Sequence, residues 1–356
     1  MMRNNRWILL ILTALMLIMP AGCGKKESGV QTGDEKLDGS APAGVNEKQR
    51  ETGEPPASMV KNPLTGLDMD AEFENRRPMA VMVENEAGAR PQSGLDKADV
   101  VYEILAEGGI TRFLAIYLGK QCEEIGPVRS ARPYFVDYAT EYDGIYVHYG
   151  ASPQAYADLK KLNVDAIDGI YDGVTFWRDK SRSKPHNAYT STERILKTSE
   201  KRGFLKTTRL KVWNFTDEST PSNGQELRSF NLKYFNNYYV GYAYDPSRKV
   251  YKRFINGKPH TDRRTGETLL VKNIIVQFAD SKVIDEVGRM DIKTTGSGKG
   301  YYISEGFFTE IRWQKGSRVG RTKYTLADGT ELRINPGNTW IQVMPQWGKF
   351  EIEKER

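Results

Sequence analysis

The sequence predicts an α/β or α+β N-terminal domain followed by a mostly-β C-terminal domain of barrel or sandwich type. Three observations predict it. From Pro78 to about residue 215, short runs rich in Val, Ile and Tyr alternate with helix-like stretches. From about Phe230 the apolar runs are all strand-like and turn dipeptides separate them. Ahead of both, residues 24–60 carry almost no large apolar side chain and cannot bury enough surface to offset chain entropy.

The chain opens with Arg3 and Arg6, an uncharged run at 7–19 (WILLILTALMLIM), then Pro20, Ala21, Gly22 and Cys23. Basic, apolar, small is the order of a secretory signal, and the run is shorter than the ~20 apolar residues a spanning helix needs. The small residues run straight into cysteine, which resembles the lipobox of bacterial lipoproteins. Pro20 departs from it, standing where that motif usually has Leu. Residues 1–22 are therefore expected to be removed and Cys23 to carry a diacylglycerol and an amide-linked acyl chain such as palmitate, firm anchoring where one short chain is marginal. The expected location is the outer face of the cytoplasmic membrane. Residues 23–60 read as the lipidated cysteine and a disordered tether.

The first domain is expected over 61–215. Its strands are 78–85 (PMAVMVEN), 98–106 (ADVVYEILA), 111–119 (TRFLAIYLG) and 144–150 (GIYVHYG). Helices are expected over 130–142, over 152–161 with Ser152 as N-cap and Pro153 at the first position, and over 191–202 with Gly203 as the stop. A linker over 216–229 leads to the second domain, 230–356. Strands there are expected at 238–245, 249–255, 269–279, 300–304, 307–313, 322–327, 330–334 and 339–345, with turns at Asn256-Gly257, Asp328-Gly329 and Pro336-Gly337. The segment 296–300 (GSGKG) lacks the full phosphate-loop spacing and runs into a strand, so a hairpin turn is expected there.

The chain of 356 residues has a formal charge of +6, and loss of Arg3 and Arg6 with the signal leaves about +4. No dense Lys/Arg block stands out, so nucleic acid is not an expected partner. With Cys23 acylated, Cys122 has no intrachain partner and reads as a structural thiol. No His-Glu-x-x-His or clustered Cys/His set appears, so no metal is expected; no cofactor motif is present either. A Gly-x-Ser-x-Gly elbow is also missing, and catalytic residues stay unassigned.

The phrases NPLTG (62–66), RPMAVMVEN (77–85), ARPQSGL (89–95), EGGITRFLA (107–115), GPVRSARPYFVDYA (126–139), VHYGASPQA (147–155), HNAYTS (186–191), RFINGKPHTDRRTG (253–266) and NPGNTWIQVMP (335–345) resemble the YerB-type lipoproteins of Gram-positive bacteria. The resemblance spans nearly all of 61–345. It implies two domains of unknown function, N-terminal and C-terminal, and an extracytoplasmic location.

The residues that could carry chemistry are mainly cationic. Arg90, Arg112, Arg129 and Arg132 lie beside Gly, Pro or Ser at predicted strand ends, where they could clamp a phosphate, pyrophosphate or carboxylate. Glu84, Glu103 and Glu107 come from the same phrases and could equally pair with them as loop fasteners. His148, just before Ser152, and His186, beside Asn187, are candidate ligand contacts or structural histidines. Three functions compete: a lipid-anchored protein binding an anionic ligand, cell-wall polymer or envelope protein; an envelope phosphotransferase or phosphohydrolase loosely like the LytR-CpsA-Psr enzymes; and a glycan-binding module using Trp177, Tyr239, Tyr242, Tyr244, Tyr251, Trp313 and Trp340.

Overall fold

The computed structural model describes residues 58–216 and 224–353. The signal peptide, Cys23 and all but the last residues of the expected tether lie outside them. Residues 58–60, given to the tether on composition, lead into a strand, Met59–Lys61, that pairs with Asp68–Asp70.

Thirteen longer elements build two sheets. In chain order the strands are β1 (Met79–Glu84), β2 (Val100–Leu105), β3 (Thr111–Tyr117), β4 (Ile145–His148), β5 (Ala166–Asp168), β6 (Ser229–Phe235), β7 (Tyr238–Asp245), β8 (Val250–Ile255), β9 (Asn273–Ala279), β10 (Gly296–Ser304), β11 (Phe307–Lys315), β12 (Thr339–Pro345) and β13 (Lys349–Ile352). The helices are α1 (Pro133–Thr140), α2 (Pro153–Lys161) and α3 (Thr192–Lys201).

Local chemistry sets their ends. Pro133 stands at the first position of α1, so the helix expected from residue 130 starts three residues later. Ser152 caps α2, its hydroxyl accepting from the Ala155 N–H at 3.2 Å, and Ser191 caps α3 by accepting from Arg194. Gly203 follows α3 with φ +69°. Asn256 and Gly257, with φ of 48° and 76°, form the tight turn after β8.

The 296–300 segment is not a turn. It is the first half of β10, paired with residues 311–315 of β11. Its glycines permit close approach: a Cβ on Gly298 would meet Trp313 Nε1 at 2.5 Å, and one on Gly300 would meet the Val276 carbonyl oxygen at 2.2 Å. The turn comes at Glu305 and Gly306, with φ of 52° and 87°.

The larger sheet has eleven strands, ordered β11-β10-β9-β12-β2-β3-β1-β4-β5, with Gln225–Glu226 and Lys323–Thr325 both paired to β11. β12 comes from the end of the second region, yet it pairs parallel with β9 on one side and with β2 of the first region on the other. Every residue of β2, β3, β9 and β12 is buried. A second, six-stranded sheet runs β8-β7-β6-β13, with Lys258–Pro259 and Leu270–Val271 on β8. It covers one face of the large sheet, where the Tyr234 hydroxyl reaches Gln342 and the Arg253 guanidinium stacks 4.6 Å over Trp340. α1 covers the other face, stacking Tyr138 on Tyr102 at 4.7 Å. The chain is therefore mostly β, with a helix-bearing first region and a β-rich, sandwich-like second region.

Candidate functional site

Pairing register decides which side chains meet. Glu84 lies opposite Arg112, and Ala80 opposite Tyr146. Strand alternation then puts Arg112, Tyr146 and His148 on the face that carries α1. Ala131 and Ala151 bridge in parallel, so α1 and α2 begin side by side.

Arg112 donates from Nη1 to the Ser130 carbonyl at 3.0 Å and from Nη2 to Glu107 Oε1 at 2.9 Å. Arg132 grips the same carboxylate, its Nε 3.0 Å from Oε2. Glu107 sits in the short β2–β3 loop, where Gly108 and Gly109 have φ of 75° and 71°. One carboxylate thus serves two guanidinium groups. His148 places Nδ1 2.9 Å from the Gly150 carbonyl, which can only accept; Nδ1 therefore carries the proton and Nε2 the lone pair. Asp168 Oδ1, 3.8 Å from Nδ1, accepts from the Gly150 N–H at 2.7 Å.

Four buried polar atoms of this cluster have no hydrogen-bond partner among the described residues: Arg112 Nε, the Tyr134 and Tyr146 hydroxyls, and His148 Nε2. Their residues are at most 2% exposed. Leaving such a group unsatisfied costs about 1–3 kcal/mol, so four neighbours call for an occupant. Burial pushes the Tyr134 hydroxyl up to about 12 and that of Tyr146 well above its usual range. It lowers His148, against the opposing pull of Asp168. At neutral pH the site offers two hydroxyls and one guanidinium N–H as donors, with one neutral imidazole nitrogen as acceptor.

A cavity of about 450 Å³ meets the cluster at Arg132 and Tyr134, while Arg112, Tyr146 and His148 are not part of its wall; the rest of the wall includes Ser152 to Gln154 at the start of α2, with Asp137, Asp158, Asp291, Arg289 and Arg318. Arg318 is held by Asp137 at 2.7 Å and by Asp158 at 2.9 Å, and Arg289 by Asp285 at 3.1 Å. The positive ends of both helices face this space. Another cavity, about 420 Å³ between α3 and β1, is lined by Phe73, Met79, Ile145 and Leu205 and has none of the four unpartnered atoms.

Arg112, Arg132, His148 and Ser152 are thus brought together, with Ser152 capping α2 at the cavity wall. Glu84 shares this face of the sheet, directly opposite Arg112, and its charge acts on that guanidinium; the remaining expected residues lie elsewhere. Glu84 is buried between Arg129 Nε at 2.8 Å and His186 Nδ1 at 2.9 Å, and His186 also reaches Glu86 at 3.3 Å. The Arg129 contact is poorly aligned, an ion pair rather than a hydrogen bond. Arg90 donates to the Asn85 backbone and side chain and covers the Tyr238 ring. Asn187 fastens its own loop through Arg178, Asp179 and Arg182. Glu103 is wholly buried on the opposite face, ion-paired with Arg253 and accepting from Thr111 and Tyr238. Of the aromatics considered for sugar stacking, Tyr242, Tyr251, Trp313 and Trp340 are buried core. Tyr134 and Tyr146 had no signal of their own, since a tyrosine inside an apolar run reads as packing.

Residues 64–205 match the family described as "Protein of unknown function (DUF3048) N-terminal domain", and residues 230–341 match the corresponding C-terminal domain. The protein named "Putative lipoprotein YerB" of Bacillus subtilis (strain 168) is 40% identical over 303 residues, which is 84% of this chain and 90% of that one. A crystal structure of YerB protein from Bacillus subtilis is similar with a TM-score of 0.74 at 38% identity, covering 82% of this chain and 99% of the other.

Proposed function

The chain belongs to the two-domain DUF3048 family of YerB-type proteins, and from that premise we propose that it is a lipid-anchored extracytoplasmic protein that binds a phosphate-class anion at the cavity between α1 and α2. The anchor rests on the order of residues 3–23 and on a relative named as a lipoprotein. Replacing Cys23 by Ser should leave an unprocessed precursor or release the protein into the medium. Normal cleavage with unchanged membrane retention in a fractionation experiment would contradict the anchor.

The binding reading is carried by one observation, the four unpartnered atoms around Arg112, Tyr134, Tyr146 and His148. Three donors and one acceptor suit a phosphate that keeps one proton, its P–O–H donating to His148 Nε2 and its other oxygens accepting. Two arginines sharing Glu107, with two helix N-termini, supply the countercharge. A bare carboxylate has no proton to give His148 and is the poorer match.

Thermal unfolding of the chain from residue 24, with and without millimolar phosphate or pyrophosphate, tests this. A ligand at 100 times its Kd stabilises the fold by about 2.7 kcal/mol, a rise of several degrees. Arg132→Gln, at the cavity wall, should abolish the rise; Glu107 keeps Arg112 as a partner, so the variant should still unfold cooperatively, at a lower ligand-free melting temperature. An unchanged melting temperature with both anions would remove the proposal.

A further inference from the structure

Two loops beside the cavity hold large apolar side chains out in solvent. The loop after β5 exposes Ile170, Tyr171 and Val174 to 55%, 80% and 71%, and the hairpin before β10 exposes Val283, Ile284 and Val287 to 61%, 56% and 66%. Ile284 forms part of the cavity wall with Ser152 and Pro153. Ile170 lies over Gly150, two residues before Ser152; a Cβ on that glycine would meet Ile170 Cγ1 at 3.5 Å. The hairpin also reaches the loop of Glu107, where a Cβ on Gly288 would come within 3.6 Å of the Gly108 nitrogen.

Both loops are fixed in this exposed state by their own hydrogen bonds. Asp168 Oδ1 accepts from the Ile170 N–H at 2.9 Å, and Asp172 Oδ1 from Val174 and Thr175 at 3.0 and 2.7 Å. Asp285 accepts from the Arg289 N–H at 3.0 Å and pairs with its guanidinium. Apolar surface held rigidly in water around a cavity marks an interaction site. Its position around a charged cleft gives the ligand two ends.

We propose that the occupant is an anionic amphiphile, a membrane lipid phosphate monoester whose headgroup enters at Arg132 and Tyr134 toward Arg112, Tyr146 and His148, and whose hydrocarbon chain leaves past Ile284 on the side of the Ile170 loop. This rests on the phosphate reading above and adds the chain. A free phosphate would leave the apolar lips without a role. A lipid phosphate uses both halves, and the lips shield the headgroup contacts from water.

Titration calorimetry of the chain from residue 24 with inorganic phosphate, dodecyl phosphate below its micellar concentration and dodecyl maltoside separates the cases. Dodecyl phosphate should bind at least tenfold more tightly than phosphate, since roughly two buried methylenes are enough for about that factor. Ile284→Asn combined with Ile170→Asn, both at exposed positions and both uncharged, should erase the gain and leave phosphate affinity within twofold. Equal affinity for phosphate and dodecyl phosphate overturns the amphiphile and leaves the phosphate site standing. Dodecyl maltoside binding as tightly as dodecyl phosphate also overturns it, because the lips would then act without the headgroup. Silence from phosphate and dodecyl phosphate alike overturns the phosphate site itself.

Discussion

His148 and His260 are both buried and both pushed below the ordinary histidine range, chiefly by desolvation. A depressed base binds its proton in the unfolded chain before it does so in the fold, so it contributes stability above about pH 6.5 that is lost on acidification. The melting temperature should be flat between pH 7 and 8 and fall below pH 6.5, and His148→Gln should make that fall shallower; an unaltered slope would place the effect on His260 and elsewhere. Tyr134→Phe removes an unpartnered hydroxyl and should leave the ligand-free protein as stable or up to about 1 kcal/mol more so in urea unfolding, while weakening phosphate binding. Glu103→Gln has the opposite character. It strands the Arg253 guanidinium in the interior and should cost about 3–5 kcal/mol by the same measurement. The sequence pointed to Arg112, Arg132 and His148 because cations and histidines stand out at strand ends. It raised Glu103 because it stands in the same phrases as those arginines, and could not name its partner Arg253, since a residue 150 positions away leaves no local mark.

The helices were the most legible elements, since Ser152, Pro153, Ser191 and Gly203 state their chemistry in adjacent residues. The long strands 79–84, 100–105, 238–245 and 339–345 were equally plain in their apolar runs. Glycine misled at 296–300, where local sequence does not distinguish a residue that turns from one that lets another backbone approach. Substitution separates the two roles. Gly300→Ala drives a Cβ into the Val276 carbonyl across the β9–β10 pair and should destabilise by about 2 kcal/mol or more, whereas Gly316→Ala, with nothing within 4 Å, should be nearly neutral. Comparable losses for both in chemical denaturation would mean that β10 is not held against β9 as described.

At the level of the whole molecule the decisive element is β12. Its run TWIQVMP was legible as a strand, but its burial on both faces and its neighbours were not, because β2 lies more than 200 residues earlier and no local pattern records a long-range pairing. The two regions joined through 216–229 read as successive folding units, yet β2 is completed only when β12 arrives, and α1 fastens across the same boundary through Glu141 to Lys315 and Tyr138 to Gln277. Residues 61–215 expressed alone would present β2, with all six residues buried in the intact protein, as an open apolar edge, which is a template for aggregation. We expect that fragment to be insoluble or to lack a cooperative thermal transition. Co-expression with residues 216–356 should restore a soluble complex, since the missing strand and the α1 partners are all supplied in trans. A cooperative melt from 61–215 by itself would show that its core closes without β12.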